Sequence, residues 1–188
     1  MKTGIKTKDM VLTALLIAIG IIIPIYFGFL RIVLPPGAFS ATLMAHVPIF
    51  IAMFISPWSA LFTAIGTTLG FAFSGLDPVV TARAGSHIIF AMVGAFMIKK
   101  HCNLILVGIV TALLHAVFEA LTVYLFLALG LMQASNSSFV SIAFYTTGIG
   151  TLLHDIIDYV IACVVGFALT KAHAIPALPP LWFKKSVG

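Results

Sequence analysis

Residues Val11–Pro24 read VLTALLIAIGIIIP, and this stretch decides the fold. A strand that crosses a bilayer alternates apolar and polar side chains over about ten residues. Here apolar side chains occupy odd and even positions alike, so the run reads as helix. A helix also satisfies its own backbone hydrogen bonds where there is no water to do so. The run extends to a first predicted span, Met10–Leu30, long enough for the ~20 residues a crossing needs, with Pro24 as a kink or an end. His46–Ile55 has the same unbroken apolar character.

The remainder of the chain agrees. Of its 188 residues 62% are hydrophobic and 8% charged, against about 25% charged in a soluble domain, and the mean hydropathy is +1.21. That predicts an all-α membrane protein, one compact six-helix bundle over residues 1–171 with a Pro-containing basic tail over 172–188. After the first span comes a loop, Arg31–Phe39, broken by Pro35-Pro36-Gly37. The further predicted spans are Ser40–Ser56, Trp58–Phe73, Val79–Ile98, Leu104–Leu131 and Ile142–Lys171. The turns between them carry Pro57, Ser74-Gly75-Leu76-Asp77-Pro78, Lys99-Lys100-His101 and the polar stretch Gln133–Ser138.

The net charge of +5 is a matter of topology and gives no reason to invoke nucleic acid. Lys2, Lys6, Lys8, Lys99, Lys100, Lys171, Lys184 and Lys185 all fall on the side shared by the termini, and Arg31 alone lies in an opposite loop. The bias predicts cytoplasmic termini. The amino end lacks the short apolar run and small-residue cleavage site of a signal peptide, so the first span is expected to be retained. Trp182 and Phe183 beside Lys184 read as an interfacial anchor on a tail that is otherwise loose or interfacial. Cys102 and Cys163 have neither metal nor disulfide spacing and read as small apolar fillers.

An ionisable side chain inside a bilayer costs at least about 2.5 kcal/mol, so each one needs a partner or a task. Arg83 and His87 are spaced i, i+4 and share a helix face; the guanidinium fork matches a carboxylate, the alternative being a side chain that snorkels to water. His115 and Glu119 repeat the spacing one span later. Glu119 reads either as a clamp to Arg83 or a histidine, or as a contact to a ligand. His154 and Asp158 share a face with Thr147 and Thr151, with Asp155 turned about 100° away; at least one of these carboxylates is expected to hold neighbouring helices together. His46 is a further candidate, for packing or for a ligand. No HExxH, Gly-x-Ser-x-Gly or Walker A pattern occurs, so neither metal, cofactor nor enzymatic turnover is expected. Ala14-x3-Ala18 in the first span and Gly66-x3-Gly70 in the third are small-residue faces that let helices approach closely.

With its basic amino end, Ala14-x3-Ala18, and the segments HVPIFIAMFISP (His46–Pro57) and RAGSHIIFA (Arg83–Ala91), the chain resembles the substrate-binding S components of energy-coupling factor (ECF) vitamin transporters, in their pantothenate and niacin branches. The likeness extends to about Lys171. It implies a bacterial multi-pass plasma-membrane subunit that captures a vitamin from outside and docks on a membrane T component through Ala14 and Ala18, while two cytoplasmic ATPase subunits supply energy. It also implies that Arg31–Phe39 forms a lid over a pocket in the outer half of the bundle. Arg83, His87, Glu119, His115, Asn136 and His46 are the expected substrate contacts, Arg83 and His87 for the vitamin's carboxylate. Phe71, Phe73 or Phe90 would stack on a niacin ring. A stand-alone proton- or ion-coupled carrier using His115/Glu119 or His154/Asp158 as a relay is the rival reading.

Overall fold

The computed structural model describes residues 6–34, 39–133 and 137–182. In chain order it contains α1 (Thr7–Tyr26), a 3-10 turn (Gly28–Leu30), β1 (Arg31–Leu34), β2 (Phe39–Thr42), α2 (Val47–Ile55), α3 (Pro57–Phe73), α4 (Pro78–Lys99), α5 (Leu104–Ala128), a π-helical segment (Ser141–Gly148) and α6 (Ile149–Lys171). Among the described residues, four helices are long and apolar enough to cross a membrane: α1, α4, α5, and α6 together with its π-helical lead-in. Large apolar side chains such as Leu113, Leu153, Val160 and Val164 are exposed on their outer faces, as a lipid-facing surface requires.

The helix starts follow from local chemistry. Ser56 caps α3 by accepting from Ser59 N–H, Asp77 caps α4 by accepting from Val79 N–H, and Asn103 caps α5 by accepting from Leu106 N–H. Pro57 and Pro78 occupy first positions where no N–H is needed. Pro24 lies inside α1.

The expected second span, Ser40–Ser56, is corrected. Residues 39–42 form an antiparallel strand pair with 31–34, in register Arg31↔Thr42 to Leu34↔Phe39. Only Val47–Ile55, 9 residues, is helical. At 1.5 Å per residue that is about 14 Å, roughly half of a ~30 Å hydrocarbon core. Thus α2 is a half-helix, too short to cross by itself, that begins deep in the bundle. All nine of its residues are buried. The loop tip Pro35-Pro36-Gly37 lies outside the described residues, as do Lys2, Asn136, Phe183, Lys184 and Lys185.

Helix α3 packs closely on α1, and the GxxxG is the reason. A Cβ at Gly66 would sit 2.8 Å from the Ile17 side chain, and one at Gly70 would overlap Ile21. Ala14 and Ala18 are exposed, and Ala14 lines a shallow recess between α1 and α3 with Ile17, Phe62 and Gly66. The segment after α6 also departs from expectation. Rather than hanging loose, 172–182 folds back: Pro180 and Leu181 carbonyls accept from Leu104 and Ile105 N–H at 3.0 and 3.2 Å, and Lys8 Nζ donates to His173 O at 2.7 Å. The tail thereby satisfies first-turn donors of α5 that its own helix leaves orphaned. Together these contacts gather the start of α1, the start of α5 and the end of α6 at one end of the bundle, away from the hairpin.

Candidate functional site

The break at the start of α2 is where the buried ionisable groups meet. Helix α4 supplies Arg83 and His87, α5 supplies His115 and Glu119, α6 supplies Thr151, His154, Asp155 and Asp158, and His46 stands at the N-cap of α2. All are buried; Arg83 is 5% exposed and His115 1%. Arg83 therefore does not snorkel. The i, i+4 spacings in α4 and α5 place both pairs on facing stripes, as their sequence implied.

Each carboxylate has its own partners. Glu119 Oε2 accepts from Arg83 Nη2 at 2.7 Å and from the Thr151 hydroxyl, and Glu119 Oε1 lies 3.2 Å from His87 Nε2 and 3.5 Å from His115 Nε2. Asp155 Oδ1 bonds His115 Nδ1 at 2.5 Å, tying α6 to α5. Asp158 accepts from the backbone N–H groups of Met44 (2.8 Å) and His46 (3.0 Å). Its carboxylate thus sits at the positive end of a half-helix that starts inside the bundle, where it satisfies donors and complements the dipole at once. Met44 is held at φ 68° there, a left-handed conformation costing about 1–2 kcal/mol for a non-glycine residue; the Asp158 bond helps to hold it. Both α6 carboxylates thus take the interhelical role expected of at least one of them.

Strand β2 contributes backbone that sequence reasoning missed. Ser40 O accepts from Arg83 Nη1 at 3.3 Å, and Thr42 O lies 3.2 Å from His154 Nε2. The Arg83 guanidinium lies 5.6 Å from the Phe39 ring centroid, within cation–π range. Arg83 Nε has no hydrogen-bond partner.

A cavity of about 130 Å³ opens above these groups, lined by Arg83, His87, Glu119, His46, His154 and Phe71 and bounded at its mouth by Arg31, Ser40 and Asp77. Arg31 went unrecognised as a site residue, although as the sole cation in its loop it was the available signal; its Nη2 donates to Pro24 O at 2.9 Å. A wider polar recess lined by Arg31, Asp77, Arg83 and Gln133 adjoins the mouth. His115 lies directly beneath the cavity. Of the three phenylalanines considered for stacking, Phe71 lines the cavity, Phe73 is 87% exposed, and Phe90 is fully buried behind His115. Cys102 and Cys163 are free and stand apart from the site.

Two sets of side chains bring potential metal-ligating atoms within 4.8 Å of one another: His46, His87, His115 with Glu119, and His46, His154 with Asp158. What the arrangement offers a small anion is a guanidinium with a free N–H, several imidazoles and an aromatic wall. The cavity is of the same order as the enclosed apolar cavity of about 150 Å³ that holds benzene, and it is open at its mouth.

Comparison with known proteins returned a relative of defined role. The niacin transporter NiaX of Lactococcus lactis subsp. cremoris (strain MG1363) is 33% identical over 177 residues, covering 90% of this chain and 78% of the relative. No family model matches the chain, and no solved structure matches it.

Proposed function

The chain belongs to the family of the niacin transporter NiaX, and from that premise we propose that it is the S component of an ECF-type ABC transporter, capturing nicotinate from outside the bacterial plasma membrane. The observation that carries the reading is the cavity of about 130 Å³ over Arg83, His87, His46 and Glu119. A small one-ring acid matches the relative's niacin, and the cavity opens toward a wider polar recess at its mouth. The carboxylate is met by the Arg83 guanidinium and by His87, which line the cavity. The Phe71 face lies against the ring. Asn136, outside the described residues, remains in the proposed contact set, as does His115.

In this reading the bundle crosses the membrane six times, α2 with the hairpin making one crossing and α3 another, and both termini are cytoplasmic. The hairpin Arg31–Thr42 is the lid. The membrane T component docks on the α1 face carrying Ala14 and Ala18, both exposed, and the two ATPase subunits bind the T component. The protein catalyses no covalent reaction of its own. The test is binding of labelled nicotinate to the purified chain, with uptake measured in cells lacking T and ATPase partners. Tight binding without accumulation is expected. Concentrative uptake by the chain alone would instead favour a stand-alone carrier, with His115/Glu119 or His154/Asp158 as the candidate relay.

A further inference from the structure

We propose that His46, His87, His115 and Glu119 hold a divalent transition-metal ion of the zinc class at the floor of this cavity. Four ligand atoms, one from each, lie within 4.8 Å of one another in a buried pocket. The three imidazoles surround a common point: ring centroids are 4.7 Å (His46–His87), 4.5 Å (His46–His115) and 4.7 Å (His87–His115) apart, each pair nearly perpendicular. Bonds of 2.0–2.1 Å to a tetrahedral ion put ligand atoms about 3.4 Å apart. Small side-chain rotations close the difference.

The hydrogen bonding supplies a second, independent indication. His115 Nδ1 is engaged by Asp155. If that nitrogen carries the proton of a neutral imidazole, Nε2 is a bare lone pair. Yet Nε2 has no hydrogen-bond partner and faces Glu119 Oε1, another acceptor, at 3.5 Å. That contact is favourable with a proton on Nε2, which makes His115 an imidazolium between Asp155 and Glu119, or with a metal cation between the two atoms. His46 Nδ1 is buried without a hydrogen bond and lies 3.3 Å from Asp158 Oδ2, which leaves its Nε2 for the set. An imidazole whose remote nitrogen is fixed by a carboxylate is the usual outer arrangement of a metal-ligating histidine, and an imidazole-rich set with one carboxylate suits zinc and its neighbours.

Charge points the same way. Arg83 pairs with Glu119, while Asp155 and Asp158 meet histidines and backbone N–H groups, so with neutral imidazoles the three carboxylates leave two negative charges that protons on the histidines or a metal ion must balance. A divalent ion balances them. That the ion also makes the cavity attractive to a carboxylate rests on the nicotinate reading; the metal site itself does not.

The test uses the full-length chain carrying a tag without histidines, purified in detergent from zinc-supplemented medium. Metal per chain is measured by elemental mass spectrometry after dialysis. About one ion per chain is expected, lost in His46→Ala and His115→Ala and kept in His101→Ala, whose side chain is exposed. Asp155→Asn is expected to weaken metal affinity by about 10–100-fold. Should the alanine variants fail to fold, cobalt substitution of the wild-type chain decides the matter: intense visible bands of low-coordinate cobalt support the site, and a spectrum of hydrated cobalt overturns it. Wild-type protein that takes up no metal yet binds nicotinate overturns the ion and leaves the transporter reading standing. Metal bound with no nicotinate binding, before or after chelation, supports the ion and removes the nicotinate reading.

Discussion

The proposed function gives Arg83 a second job beside its pairing with Glu119, and two substitutions separate them. Its Nη2 neutralises Glu119 at 2.7 Å, while Nε is unpartnered and Nη1 reaches only a carbonyl at 3.3 Å. Arg83→Ala removes both. Stripping one partner from a buried ion pair costs about 3–5 kcal/mol of stability, and losing a charged hydrogen bond to the ligand costs about 1.5–3 kcal/mol, roughly 10–150-fold in Kd. Arg83→Lys keeps a positive charge against Glu119 but gives up the planar fork, so it is expected to melt near the wild-type temperature and still lose most of the same affinity. The assay is thermal unfolding in detergent beside equilibrium binding of labelled nicotinate, on wild type and both variants. If Arg83→Lys binds as tightly as wild type, or if the loss in Arg83→Ala merely follows its folded fraction, Arg83 is structural and the anion-gripping argument fails.

Other outcomes follow from the same geometry. Ala14→Trp and Ala18→Trp should leave nicotinate affinity intact and abolish uptake by the assembled transporter; survival of uptake in both would exclude this face as the docking surface. Gly70→Leu drives a side chain into Ile21 and should lower stability by about 1–3 kcal/mol in chemical denaturation. Asp158→Ala orphans the Met44 and His46 N–H groups, each worth about 1–3 kcal/mol when buried and unsatisfied, and should release the left-handed turn at Met44, read as a large drop in melting temperature. Excess pantothenate should fail to displace bound nicotinate, and displacement would show that the cavity also takes the longer acid.

The long helices were legible because lipid leaves the chain few choices: an unbroken apolar run without water must close its hydrogen bonds internally. The pairs Arg83/His87 and His115/Glu119 were legible because helical spacing alone puts each pair on one face. What faced those stripes was not. Hydropathy is the same for a half-helix as for a whole one, so the run from Ser40 to Ser56 concealed the strand at 39–42 and the late start at Val47. The Ser40 and Thr42 carbonyls act through backbone, which no residue type announces. Asp155 was read only as turned away from His154; that its direction leads to His115 depends on how α5 and α6 pack.

These hidden contacts make the strand pair and the site one structure. Asp158 on α6 holds the turn at 44–46, that turn sets where β2 ends, and β2 carries the carbonyls that meet Arg83 and His154. A movement of the hairpin that exposed the cavity would therefore pull on Ser40 and Thr42 and loosen Arg83 and His154 together. Breaking two hydrogen bonds, one from a charged donor, costs a few kcal/mol at most, within what a bound anion returns through charge-assisted bonds to the same guanidinium. Opening and ligand exchange are then coupled through Arg83, without any rearrangement of the long helices. Tethering the hairpin to the α3–α4 turn, by a disulfide between cysteines at Arg31 and Asp77, should slow nicotinate association and dissociation alike, and unchanged rates would show that the ligand does not pass this way.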